Sequence, residues 1–119
     1  MIKKIVHLQD RDIIKLSEEE KKIGYIEFSF DKYENILEVI EIYVEPEYRR
    51  HGYGTILMNE YKKEADRLRC GGCLHAHPFK KGKEHNAEII TNKALETFYS
   101  KFGFKEYLRL NNGGCVMKF

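Results

Sequence analysis

Six consecutive residues, Arg49-Arg50-His51-Gly52-Tyr53-Gly54, combine three basic side chains with two closely spaced glycines. Glycines at 52 and 54 leave no side chain in the way of a ligand that approaches the backbone. Where such a segment joins a strand to a helix, the first helical amides point outward, unsatisfied, at the positive end of the helix dipole. That is the chemistry of an anion site, and a pyrophosphate suits it. Glycine in a strand-to-helix connection also serves plain sterics, so the spacing alone leaves both readings open.

A second pattern, Cys70-Gly71-Gly72-Cys73 followed by His75 and His77, offers four zinc-capable side chains in a short span. Structural zinc ligands usually come from separated pairs that cross-link the chain. A glycine-rich helix end with buried thiols accounts for the same residues without a metal, and no metal is expected. Redox chemistry needs a lowered thiol pKa, whereas this pair follows a helix and meets its negative end.

The elements that must hold these residues are legible from hydrophobic periodicity. Short aliphatic runs predict strands over 2–8 and 12–16, with a turn at Asp10-Arg11-Asp12. A polar run, Ser17 to Lys22, leads to a half-buried strand over 23–30, and Asp31 to Asn35 forms the next turn. The β-branched stretch from Ile36 to Val44 predicts a long strand that stops at Pro46. Ile56, Leu57, Tyr61, Ala65 and Leu68 recur at helical spacing between Thr55 and Arg69, and Gly71-Gly72 is read as ending that helix.

Leu74 to Phe79 then reads as a strand, and the basic segment Lys80 to Asn86 as a loop, solvated by default. Thr91 or Asn92 can cap a second helix through Ala94, Leu95, Phe98 and Tyr99, closed by Gly103. Phe104–Leu110 and Cys115–Phe119 flank Asn111-Asn112-Gly113-Gly114 as a hairpin. This order predicts an α/β fold with helices packed on a mixed sheet, in one domain spanning 1–119.

Two stretches resemble a known family. Val44-Glu45-Pro46-Glu47-Tyr48-Arg49-Arg50-His51-Gly52-Tyr53-Gly54-Thr55 is similar to the central motif of the GNAT superfamily of N-acetyltransferases, Q/R-x-x-G-x-G/A, with Arg49, Gly52 and Gly54 at its fixed positions. Asn92-Lys93-Ala94-Leu95-Glu96-Thr97-Phe98-Tyr99-Ser100-Lys101-Phe102-Gly103-Phe104 looks like the later motif, N-x-A-L-x-x-F-Y-x-K-x-G-F. The resemblance covers roughly residues 23–119, leaving the N-terminal twenty residues unmatched.

The resemblance implies the GNAT-type acyl-CoA N-acyltransferase fold, a mixed, mostly antiparallel sheet splayed in the middle and flanked by helices. It implies acetyl-coenzyme A as co-substrate and direct acetyl transfer to a primary amine. By the same resemblance Ile42, Tyr43 and Val44 contact the pantetheine and polarise the thioester. Arg49, Arg50, His51, Gly52, Tyr53, Gly54 and Thr55 hold the pyrophosphate, Asn92 contacts the cofactor, and Tyr99 protonates the departing thiolate. A phenol with an ordinary pKa of about 10 keeps its proton at neutral pH. Tyr99 also suits plain packing beside Phe98 on the apolar face of its helix.

Glu41, on the strand entering the site, is the candidate general base; His75 and His77, which point to one face of the adjacent strand, are others, and bulk water can take the proton instead. The family normally places two helices between its first two strands to wall the acceptor site, and the polar segments here are too short for both. The acceptor pocket is therefore expected to be open, or completed by a second subunit in a homodimer. The acceptor, a small-molecule or peptide amine, is not legible. A non-catalytic coenzyme A-binding or zinc-stabilised regulatory module of the same fold is the alternative.

Composition sets the outer bounds. With 21 Lys and Arg against 19 Asp and Glu, the net charge of +2 gives no bulk attraction for nucleic acid. No apolar run long enough for a signal h-region or a membrane span follows Met1-Ile2-Lys3-Lys4. The three cysteines are an odd number, which argues for thiols in a reducing, cytoplasmic setting.

Overall fold

The computed structural model describes residues 1–76, 92–111 and 114–119, which divide into two units, Met1–Gly72 and Cys73–Phe119. The first unit begins with four strands, β1 (Ile2–His7), β2 (Asp12–Glu18), β3 (Lys21–Asp31) and β4 (Ile36–Val44). Each pairs antiparallel with the next. The chain between β1 and β2 is only residues 8–11, closed by a Leu8 N–H to Arg11 carbonyl bond of 2.8 Å. No helix separates these strands, as the short polar segments require.

The polar run after Leu16 is mostly strand. Glu18 pairs with Lys21, and the two-residue turn between them puts Glu19 and Glu20 at φ 48° and 66°. Positive φ at both positions gives a turn whose twist matches the flanking strands, so the hairpin closes without a longer loop. The β3–β4 turn is held by the Asp31 carboxylate, which accepts from the backbone N–H groups of Tyr33 and Glu34 at 3.0 and 3.1 Å.

Helix α1 (Tyr53–Leu68) buries Leu57, Met58, Tyr61 and Ala65, one stripe of an amphipathic helix. The stripe covers the β3–β4 face carrying Phe28 and Leu37. The Tyr61 ring meets Phe28 edge-on at 5.8 Å, and its hydroxyl donates to the Leu37 carbonyl. Gly71-Gly72 does not end this helix. Arg69 adopts the left-handed cap, at φ 54° and ψ 47°, and its N–H reaches back to the Ala65 and Asp66 carbonyls. The two glycines open strand β5 (Gly71–Ala76) instead, because the chain is already recruited into pairing: Gly71 N–H bonds the Asn35 carbonyl at 3.1 Å.

In the second unit, β7 (Cys115–Lys118) lies between β5 and β6 (Lys105–Arg109), antiparallel to both. Helix α2 (Asn92–Ser100) precedes β6 through a connection in which Gly103 takes φ 93°. Phe104, wholly buried, meets Tyr99 at 6.2 Å and Phe119 at 4.8 Å, both edge-on. This aromatic cluster anchors α2. Thr91, the side chain of Asn92, His77, Pro78, Phe79 and the basic segment 80–86 lie outside the described residues, as do Asn112 and Gly113.

Candidate cofactor and catalytic site

Between β4 and α1 the chain makes a single 3-10 turn, Pro46–Tyr48, then bends sharply. Arg50 and Gly52 both take positive φ, 66° and 84°, and Gly52 is the N-cap of α1. The first intrahelical bond is Ile56 N–H to the Gly52 carbonyl, at 3.1 Å. The amides of residues 53 to 55 therefore lack intrahelical acceptors. Among the described residues no side chain caps this terminus, and no acidic residue occupies its first turn. A Cβ built on Gly52 would meet nothing within 4 Å. Those features make an open, positively polarised helix end, with Arg50 and His51 exposed beside it. Tyr53 packs edge-on against Tyr48 at 5.9 Å, and Thr55 is exposed.

Arg49 is turned differently from its neighbours. Its Nε donates to the Val44 carbonyl at 2.8 Å, and its guanidinium lies 5.5 Å from the centre of the Tyr43 ring. It thus clips the loop to the end of β4. Tyr43 in turn rests against Tyr25 of β3, with ring centres 5.8 Å apart.

The register of β4 decides what Glu41 and Tyr43 face. Glu41 pairs with Glu27 and Val39 with Phe28, so Ile40 is the extra residue of a β-bulge. Residues directly opposite in an antiparallel pair share a face. Leu37 and Val39 before the bulge, and Ile42 and Val44 after it, therefore share the face of Phe28 and α1. Glu41, half-buried, and Tyr43 are turned to the opposite face with Tyr25 and Glu27, which is paired with Arg11.

Backbone direction alternates as well. Glu45 N–H bonds the Ile23 carbonyl of β3 at 2.7 Å. By the alternation of an antiparallel ladder, Tyr43 directs its backbone groups toward β3, while Ile42 and Val44 direct theirs away. The closeness of β3 to Tyr43 is visible at Gly24, where an added Cβ would stand 2.3 Å from the Tyr43 carbonyl oxygen. Neither the bulge nor this role of Gly24 was among the sequence expectations. A glycine inside a strand was the available signal for close backbone approach.

The second unit holds Tyr99, 7% exposed, against Phe98 and Phe104. Burial pushes its phenol up to about 12. Cys70, which falls in the first unit, directs its thiol to the Ala65 carbonyl at 3.7 Å, and desolvation raises its pKa. Cys73 and exposed His75 share one face of β5, while His77 is outside the described residues. No helix among the described residues is long and apolar enough to cross a membrane.

Comparison with known proteins agrees with this geometry. No curated protein sequence matches the chain. Among solved structures, the PaiA N-acetyltransferase of Thermoplasma acidophilum, in complex with coenzyme A, superposes with a TM-score of 0.69 at 23% identity. The alignment covers 92% of this chain and 60% of that one, so the chain spans less than two thirds of that relative. The aminoglycoside 6'-N-acetyltransferase of Enterococcus faecium gives 0.71 at 19% identity, over 94% of this chain and 73% of that one. The anti-CRISPR protein AcrVA5 gives 0.64 at 20% identity, with 90% and 97% covered. These likenesses establish the acyl-CoA N-acyltransferase fold. The acetyltransferase (GNAT) domain profile matches residues 9–106, starting earlier than the two motifs alone indicate because β2 also belongs to the pattern. The chain is a member of the GNAT acetyltransferase family, whose co-substrate is acetyl-coenzyme A.

Proposed function

We propose that the chain binds acetyl-coenzyme A with its pyrophosphate at the N-terminus of α1 and transfers the acetyl group directly to a primary amine. The observation that carries this reading is the helix end at Gly52, uncapped by any side chain among the described residues and without an acidic residue in its first turn. An anion there replaces the missing hydrogen-bond partners of residues 53 to 55 and meets the positive end of the dipole.

In this reading Ile42 and Val44, whose backbone groups turn away from β3, bond the pantetheine and polarise the thioester carbonyl. Glu41, or water, removes a proton from the attacking amine. The amine nitrogen then bonds the acetyl carbon as the carbon–sulfur bond breaks, and the thiolate takes a proton from Tyr99. A phenol at about 12 is a weak acid, but a thiolate formed in a poorly solvated site is also a stronger base than in water. Asn92 contacts the cofactor near the start of α2. The acceptor is a small-molecule or peptide amine, in keeping with the aminoglycoside acetyltransferase among the structural neighbours. The work is assigned to the cytoplasm.

Thermal denaturation with acetyl-coenzyme A tests the binding step. At 100 times its dissociation constant, ligand stabilises the native state by about 2.7 kcal/mol. No shift at saturating ligand defeats the reading. An acceptor screen over polyamines, amino acids, aminoglycosides and peptides, scored by release of free thiol, then tests transfer. A shift without turnover favours a non-catalytic coenzyme A-binding module.

A further inference from the structure

Glu96 and Tyr99 are three positions apart on α2, so their side chains leave neighbouring points on the helix surface. One guanidinium grips both oxygens of Glu96. Arg109 Nη1 donates to Oε2 and Nη2 to Oε1, each at 2.8 Å, and Nη2 also donates to Glu106. Arg109 stands opposite Cys115 in the β6–β7 register, and the wholly buried Cys115 thiol lies beside the same Glu96 carboxylate. The acceptor atoms of Glu96, Glu106 and Cys115 lie within 4.8 Å of one another, a spacing that also suits a metal ion. Here the guanidinium already supplies the cation between the two carboxylates.

Helix α2 has nine residues, too few to be stable alone, so its setting comes from what grips it. On the Tyr99 side the grip is ring packing against Phe104, beyond the helix end, which excludes water but is weakly directional. On the Glu96 side it is a planar fork. Two parallel N–H···O bonds fix the plane and direction of a carboxylate, which a single contact cannot do. An exposed pair of this kind contributes little to stability, and Arg109 is 45% exposed, so orientation is its main effect.

We infer that Arg109 is a positioning residue for Tyr99: by holding both oxygens of Glu96 from β6, it sets the rotation of α2 and hence the direction of the Tyr99 hydroxyl. The consequence for turnover rests on the reading of Tyr99 as proton donor; the consequence for the ring's position does not.

The test uses the full chain labelled with 3-fluorotyrosine, the Tyr99 resonance being assigned by its loss in Tyr99→Phe. In Arg109→Met and in Arg109→Lys, which keeps the charge without the fork, the Tyr99 resonance is expected to shift or broaden. Resonances of tyrosines in the first unit are expected to stay in place. Thiol release from acetyl-coenzyme A, with an amine that supports turnover, is expected to show kcat lowered about tenfold or more. The KM for acetyl-coenzyme A is expected to change by less than about twofold. An unmoved Tyr99 resonance in folded Arg109→Lys overturns the inference, whether or not Arg109→Met folds. A displaced resonance together with full turnover by Tyr99→Phe upholds the positioning and removes Tyr99 from the chemistry.

Discussion

Arg49 reaches back across five residues to donate its Nε proton to the Val44 carbonyl, at 2.8 Å. This joins the end of β4 to the loop that aims α1, so both sides of the proposed cofactor contact move as one piece. The Arg49 guanidinium carbon also lies 5.5 Å from the centre of the Tyr43 ring, within cation–π range.

Arg49→Met is expected to cost roughly 1.5–3 kcal/mol, the usual range for losing a hydrogen bond from a charged donor. It is also expected to weaken acetyl-coenzyme A binding. Arg49→Lys should recover little of either, because one flexible ammonium does not serve the Val44 carbonyl and the Tyr43 ring together as the planar guanidinium does. Denaturant unfolding and calorimetric titration of both variants check this. Full recovery by lysine would reduce the role of Arg49 to its charge.

Gly24→Ala is expected to destabilise the fold by about 1–3 kcal/mol, as overpacking does. Burying a methyl group ordinarily stabilises a protein. Here the new carbon would lie 2.3 Å from the Tyr43 carbonyl oxygen and 3.0 Å from Val44 Cα, both backbone atoms that cannot rotate aside. The collision displaces the strand end assigned to the pantetheine, so the ligand-induced rise in melting temperature should shrink as well. Unchanged melting of the free variant would show that β4 yields easily.

At Gly52 stability and affinity are expected to separate. Its φ of 84° penalises Gly52→Ala by about 1–2 kcal/mol, while Gly52→Asn costs less because asparagine visits the left-handed region more readily. Either side chain enters space where nothing now lies within 4 Å, the space given to the pyrophosphate. Both variants should lose affinity for acetyl-coenzyme A, asparagine included, despite its better melting temperature. Parent-like binding by Gly52→Asn would place the phosphates elsewhere.

Tyr99 gives the chain an alkaline limit. Its folded pKa of about 12 exceeds the ordinary value near 10, so the native state holds the proton more tightly than the unfolded chain. The sign follows directly: the associated stability is present below pH 10 and is lost as pH rises toward 12. Two pKa units correspond to about 3 kcal/mol. Chemical denaturation of parent and Tyr99→Phe across that window should show a steeper decline for the parent. Parallel declines would mean that Tyr99 is hydrated in solution. At neutral pH the same substitution should lower turnover and spare cofactor affinity.

Much of the molecule was legible in its residues because the signals are local. Alternation gave β3, the β-branched run ending before Pro46 gave β4, the 3.6-residue stripe through Leu57, Tyr61 and Ala65 gave α1, and Gly52 and Gly54 marked the turn into that helix. Two motifs in order were enough for the family, and the four-residue β1–β2 connection followed from the brevity of the polar segments. What composition and spacing could not show depends on register and on partners distant in sequence. Ile40 looks like any strand residue until its pairing with β3 skips it, and that skip turns Glu41 and Tyr43 away from α1. That Arg49 also ties the loop to β4, through its Nε and the Val44 carbonyl, follows from no local pattern. Gly71-Gly72 reads as a helix stop until strand pairing claims it and Arg69 takes the left-handed cap. Local preference follows from a residue and its near neighbours; the side a residue faces and the atoms it meets are settled only when separate strands and helices pack together.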